Sequence, residues 1–252
     1  MKFSDGFWLN KPGYEINYAC EPYEIHVSDH AIHVVATHDV ITSRGQTLDG
    51  PVLDITFAST LENTIKVTIE HFRGGMEKTP EFQLYEDDGF FPMTVETDEY
   101  AELISGKARV RINKIKGWSI EYYYGDKLLT KEGWRTTSYI TEQPYHTQER
   151  MLAQQNFNRF YADDQDPRPS YMREMLNLSV GESVYGFGEK FTTFVKNGQS
   201  VQIWNGDGGT CSEYSYKSIP FYVSNRGYGV FVNHSEKVEF EVASDTVSKV
   251  SI

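Results

Sequence analysis

The sequence predicts an all-β chain, an antiparallel β-sandwich, on three observations. Apolar and polar residues alternate with period two along most of the length. Turn residues (Gly, Asp, Asn) separate the runs, and aromatic residues are abundant, with 17 Tyr and 15 Phe among 252 residues. Aromatic and β-branched side chains suit a pleated, half-buried surface. Closely spaced strands without intervening helical patterns point to antiparallel layers rather than a parallel α/β sheet. The length permits one large β domain or two smaller ones, and no repeat of about 20–50 residues is present.

The elements follow in order. "EIHVSDHAIHVVATH" reads as a hairpin closed around Asp29 and His30. "NTIKVTIEHF" places Ile65, Val67 and Ile69 on one face and Lys66, Thr68 and Glu70 on the other, the period of a strand. Residues 71–90, with Gly, Pro and several acids, read as an irregular excursion. "KARVRI" at 107–112 resumes the strand pattern, and in "WSIEYYYGDKLLT" the pair Gly125-Asp126 separates two runs as a hairpin turn does. "QERMLAQQNFNRFYADD" at 148–164 could form a turn or two of helix, but the spacing of Met151, Leu152, Phe157 and Phe160 does not decide it. "PFYVSNRGYGVFVNH" reads as a third hairpin, with Asn225 to Gly229 supplying positive-φ turn positions. "VEFEVASDTVSKVSI" alternates up to Ile252 with no turn residue, which is the pattern expected of a chain cut at a domain edge.

Composition excludes several classes. The net charge of −12 argues against nucleic acid as a partner. No stretch approaches the roughly 20 apolar residues of a membrane helix, and the N-terminus has no apolar signal-peptide core. A cytoplasmic location is expected, and the sequons at Asn177 and Asn233 then read as chance matches. Cys20 and Cys211 form no disulfide framework.

The chemical candidates thin out quickly. His26, His30 and His33 have spacing that zinc could use, but on the expected hairpin His26 and His33 face different environments, and no cysteine or acid pair completes a coordination sphere. No metal and no cofactor is expected. Asp87-Asp88 and Asp163-Asp164-Asp166 sit in turn-like contexts that suit solvated loops. Glycoside hydrolysis requires two opposed carboxylates, and no such pair is evident. Ser residues lack a G-x-S-x-G frame. "YGFGEKF" holds G-x-G without the third glycine and the helix of a dinucleotide site.

"WNGDGGT" stands out because glycines flank a lone acid, Asp207. Trp204 offers a flat apolar face, while Asn205, Asp207 and Thr210 offer polar contacts, a combination that binds sugar hydroxyls. An Asx turn with Asp207 bonded to its own backbone explains the same residues equally well.

The sequence resembles glycoside hydrolase family 31. "VYGFGEKF", "VKNGQSVQIWNGDGGT" and "YKSIPFYVSNRGYGVFVNH" carry the resemblance, which is nearest to the bacterial α-xylosidases. "MKFSDGFWLNKPGYEI" and "VTIEHFRGG" extend it over essentially the whole chain. The resemblance implies that residues 1–252 are an N-terminal β-sandwich domain of galactose-mutarotase-like type, packed on a (β/α)₈ barrel that follows residue 252. It places the catalytic aspartates on that barrel, so no catalytic residue is expected here. It also implies that Asp207 accepts hydrogen bonds from the sugar in the +1 site, with Trp204, Asn205 and Thr210 as neighbours. Related bacterial sequences carry Arg where this chain has Gly206.

The implied substrate is a terminal α-xyloside or related oligosaccharide. A homo-oligomer of the full-length protein is left open. Two other readings compete. A free-standing carbohydrate-binding module would bind xylose or xyloglucan oligosaccharides unaided. A sugar epimerase of mutarotase type would need an acid/base pair such as His234 or His146 with Glu189.

Overall fold

A computed structural model describes residues 1–48, 50–71, 80–115, 117–142, 169–206 and 214–252. The first strands are β1 (Ser4–Asp5), β2 (Leu9–Asn10), β3 (Tyr14–Tyr18), β4 (Glu21–Val27), β5 (Ile32–Thr37), β6 (Val52–Ala58) and β7 (Lys66–Glu70). Next come β8 (Met93–Glu96), β9 (Tyr100–Ser105), β10 (Ala108–Asn113), β11 (Ile120–Tyr124), β12 (Lys127–Glu132), β13 (Ser138–Glu142) and β14 (Ser170–Arg173). The last third contributes β15 (Met175–Asn177), β16 (Val184–Gly188), β17 (Gln199–Ile203), β18 (Ser218–Ser224), β19 (Tyr228–Phe231), β20 (Val238–Val242) and β21 (Lys249–Ser251). Among the described residues the only helical element is a short 3₁₀ turn at Arg44–Leu48, and every strand pairing is antiparallel.

The strands form separate small sheets in the orders β4-β5-β6-β7, β12-β11-β10-β9-β8, β14-β13-β3, β15-β21-β20-β17, β16-β18-β19 and the ribbon β1-β2. Two buried clusters lie among them. In the first, Ile32, Val34 and Ala36 of β5 stand opposite Phe57, Ile55 and Leu53 of β6. Leu103 and Ala101 of β9 stand opposite Val110 and Ile112 of β10 in the same cluster. The second holds Val184, Phe187, Val201, Tyr222, Phe240, Val242 and Val250. The all-β and antiparallel expectation therefore holds, but the single two-layer sandwich does not. The strands are divided into a propeller-like succession of short sheets with two cores. Period-two patterning fixes which face of a strand is buried, but it leaves open which sheets share a core.

Three local readings are met. β4 and β5 close where Val27 pairs with Ile32, β11 and β12 where Tyr124 pairs with Lys127, and β18 and β19 where Ser224 pairs with Tyr228. Gly125 has φ +55° in the second turn, as a tight hairpin requires. The third turn needs one correction, since Gly227 alone of its glycines has positive φ. Gly229 lies in β19, where a Cβ would come within 2.7 Å of the Phe221 ring. The segment 148–164 lies outside the described residues.

Because the two cores are built from different strands, each needs its own large side chains. Phe57→Ala in the first and Phe240→Ala in the second should each lower unfolding free energy by about 3–5 kcal/mol, read by urea denaturation followed by circular dichroism.

Candidate functional site

The strand ends around Trp204 are set by a bulge in β16. Gly186, Phe187 and Gly188 have φ of +120°, +68° and +78° in succession, and the pairing with β18 shifts register between Gly186 and Gly188. Glycine is required at both positions by close backbone approach. A Cβ on Gly188 would lie 1.9 Å from the Lys217 carbonyl oxygen, and one on Gly186 would lie 2.7 Å from that of Phe221. The bulge turns the Phe187 side chain into the second core, 4.7 Å from Phe240 and 5.8 Å from Tyr222 by ring centroids. The G-x-G of "YGFGEKF" is thus a strand bulge.

Beyond the bulge the chain delivers Lys190 to the end of β17. Its ammonium donates to the Gln202 carbonyl (2.8 Å) and to Ser218 Oγ (2.7 Å). Asn205 Oδ1 accepts from the Ser218 amide at 2.9 Å, and Tyr214 donates to Gln202 Oε1 at 3.1 Å. These bonds fix described residues on either side of Asp207 in the sequence. Trp204 is half exposed, and a Cβ on Gly206 would come within 3.0 Å of its ring, so glycine there lets the indole lie along the backbone.

Asp207 and Thr210 lie outside the described residues. Of the sequence candidates, Trp204 and Asn205 are brought together, with Trp204 available to a ligand and the Asn205 oxygen already used for anchoring. Lys190, Gln202, Tyr214 and Ser218 were missed. The visible signal for Lys190 was only its place two residues after the G-x-G.

The other candidates fall into structural roles. His26 and His33 are direct cross-strand partners with stacked rings 6.1 Å apart, which corrects the expectation that they face different environments. Their Nε2 atoms engage Glu24 (3.3 Å) and Asp54 (3.4 Å). Asp87 Oδ1 accepts from the Gly89 amide at 3.0 Å, an Asx-type bond at an exposed position that fits the loop role expected of it. His234 engages Glu236 and Glu189 engages Lys217, so these two are not assembled as an acid/base pair. His146, Asp163, Asp164, Asp166 and Cys211 lie outside the described residues.

A buried carboxyl pair escaped the sequence reading. Glu132 Oε1 accepts from Tyr122 Oη at 2.5 Å and its Oε2 from Thr137 Oγ1 at 2.8 Å. Thr137 in turn accepts from the Trp118 indole at 2.9 Å. Glu174 lies beside them, its Oε2 3.4 Å from Thr137 Oγ1 and its Oε1 buried without a hydrogen-bond partner. Burial, and then the adjacent Glu132 charge, hold the Glu174 carboxyl well above the ordinary carboxylate range. Both oxygens of Glu132 accept hydrogen bonds from neighbouring side chains, so it ties Tyr122 of β11 and Thr137 to β12.

The sequence pattern of the glycosyl hydrolase 31 N-terminal galactose mutarotase-like domain matches residues 53–241. The chain is similar to "Alpha-xylosidase XylQ" of Lactiplantibacillus pentosus, at 36% identity over 99% of this chain and 30% of that protein. It is similar to an "Alpha-xylosidase" of Emericella nidulans at 35% identity, over 100% of this chain and 32% of that one. It therefore spans about a third of the length of these relatives. In structure it is similar to the GH31 dextranase of Flavobacterium johnsoniae complexed with glucose, with a TM-score of 0.65 and 17% identity over 93% of this chain and 25% of that one.

Two outcomes test this description. Gly188→Ala should cost about 2–4 kcal/mol in unfolding free energy, whereas Gly125→Ala, with nothing within 4 Å, should cost about 1–2 kcal/mol for its backbone alone. The second concerns pH. The unfolded chain releases the Glu174 proton near the ordinary carboxylate pKa, while the folded chain keeps it, so this group's contribution is full at low pH and falls as pH rises. Glu174→Gln should accordingly be more stable than the parent sequence at about pH 8, with the gap closing toward about pH 4, as read by thermal unfolding across that range.

Proposed function

The chain belongs to glycoside hydrolase family 31 through its N-terminal galactose mutarotase-like domain, and from that premise we propose that it is the non-catalytic N-terminal part of a retaining α-xylosidase that hydrolyses terminal α-xylosides. The observation that carries this reading is similarity along the whole chain to two α-xylosidases, each about three times its length. The lengths of those relatives leave room for a catalytic barrel, on which this domain would pack and where the reacting aspartates would reside. The protein would act in the cytoplasm. Among the described residues no helix is long and apolar enough to cross a membrane.

In this reading Asp207 accepts hydrogen bonds from hydroxyls of the leaving-group sugar, Trp204 stacks against its apolar face, and Thr210 adds a hydroxyl. Asn205 serves by holding the loop base to Ser218. A carboxylate bonded to a sugar hydroxyl contributes about 1.5–3 kcal/mol. This contribution arises only when the substrate carries a leaving-group sugar.

The test therefore compares two substrates in the protein extended through its catalytic portion. Asp207→Ala should raise KM for an α-xylosyl disaccharide about tenfold while leaving an aryl α-xyloside nearly unaffected. Equal effects on both would remove the proposed role of Asp207. Hydrolysis of the aryl α-xyloside by the 252-residue chain alone would overturn its non-catalytic status.

A further inference from the structure

A cleft of about 410 Å³, whose lining does not include Trp204, lies between the β1–β2 turn, β12, β15 and the approach to β21. Phe7, Lys131, Glu132, Trp134, Asn177 and Lys249 line it, with Thr246 at its edge. One wall is aromatic. Phe7, Trp8 and Trp134 form a mutual cluster with centroids 5.6–5.8 Å apart, yet Trp8 is 69% and Trp134 54% exposed. Two tryptophans left this open, and held in place, form a ready stacking surface. Arg135 fixes them from behind, with its guanidinium 4.6 Å from the Trp134 centroid and Nη1 donating to the Trp8 carbonyl at 2.8 Å.

The other wall is cationic. Lys249 donates to Asn177 Oδ1, and its ammonium stands 5.2 Å from the Phe7 centroid. Lys131 lies close enough to repel it, and burial together with that repulsion depresses the Lys249 pKa. Among the described residues neither lysine forms an ion pair, although the chain carries twelve more negative than positive charges. Glu132, whose oxygens accept from Tyr122 and Thr137, attracts Lys249 from the cleft wall, but among the described residues it forms no ion pair with either lysine. The Thr246 hydroxyl is buried without a partner.

The chemistry that satisfies these groups together is specific. A flat ring with a C–H face covers the tryptophans, an anion answers the paired ammonium groups, and hydroxyls complete the polar rim. A neutral sugar would bring no charge to the two ammonium groups, and a small inorganic anion would leave the rings bare. We propose that this cleft binds an acidic sugar, a pyranose that carries a carboxylate. The proposal does not rest on the α-xylosidase reading.

The experiment is a titration of the 252-residue chain at low salt, followed by the NMR signals of its tryptophan indole N–H groups, with D-glucuronate, D-xylose and inorganic phosphate in separate runs. Glucuronate should move the Trp8 and Trp134 signals, leave that of Trp204 in place, and bind about tenfold more tightly than xylose. Trp134→Ala and Lys131→Ala both lie at exposed positions, so they should keep the circular dichroism of the parent chain while each weakening glucuronate about fivefold or more. Equal binding of xylose and glucuronate would overturn the proposal, as would phosphate moving the same signals equally, or no movement at Trp8 and Trp134. A xylose-induced shift of Trp204 alone would speak for the Asp207 loop and against this cleft.

Discussion

The bulge at Gly186–Phe187–Gly188 is the constraint on which the C-terminal half is arranged. A non-glycine residue at φ +68° costs on the order of 1–3 kcal/mol, and full burial of a phenylalanine returns a similar amount. The strain persists because Phe187 packs between Tyr222 and Phe240 and because both flanking residues are glycine. With the bulge in place, the Glu189 amide bonds the Lys217 carbonyl and Lys190 reaches Gln202 and Ser218. The described residues before Asp207 in the sequence are therefore referenced to the second core.

Buried polar groups tie the sheets together where apolar contacts are few. Glu182 accepts from Ser224 and Tyr228 through one oxygen and from the Ser179 amide through the other, so it fastens the β18–β19 hairpin to the chain before β16. The Glu132–Thr137–Glu174 group does the same between β12, the start of β13 and β15. Such networks stabilise only when nearly every lone pair is used. Glu174 is the member of the group with an unpartnered oxygen, and its burial beside Glu132 raises its pKa. Among the described residues neighbouring Lys131 and Lys249 form no ion pair, so the polar cluster and the cleft beside it divide the work. The acids are used inward, while Lys131 is exposed and the buried Lys249 turns to Asn177 and the Phe7 ring.

What was legible in the sequence was local. The hairpins at Asp29-His30 and Gly125-Asp126 were readable because strand period and turn chemistry act over a few residues, and such signals survive any tertiary arrangement. The Val184–His234 block was readable as a family signature, and its glycines announced close backbone approach. Asp87 could be placed in a loop for the same reason. By contrast, His26 and His33 were misassigned because one register step decides whether two residues on adjoining strands share a face.

The sequence by itself determined an all-β, antiparallel, acidic chain and the residues that turn its hairpins, since these follow from side-chain periodicity and backbone preference. Only the tertiary structure decided that the strands divide between two cores, that Gly186 and Gly188 serve a bulge, and that Asn205 anchors rather than reaches outward. It alone brought Phe7, Trp134, Lys131 and Lys249 to one cleft, and Glu132 next to Glu174. Those meetings join positions more than a hundred residues apart for Phe7 and Lys249 and more than forty for the two glutamates. Burial and charge between such positions depend on how sheets pack against one another, which no local pattern encodes.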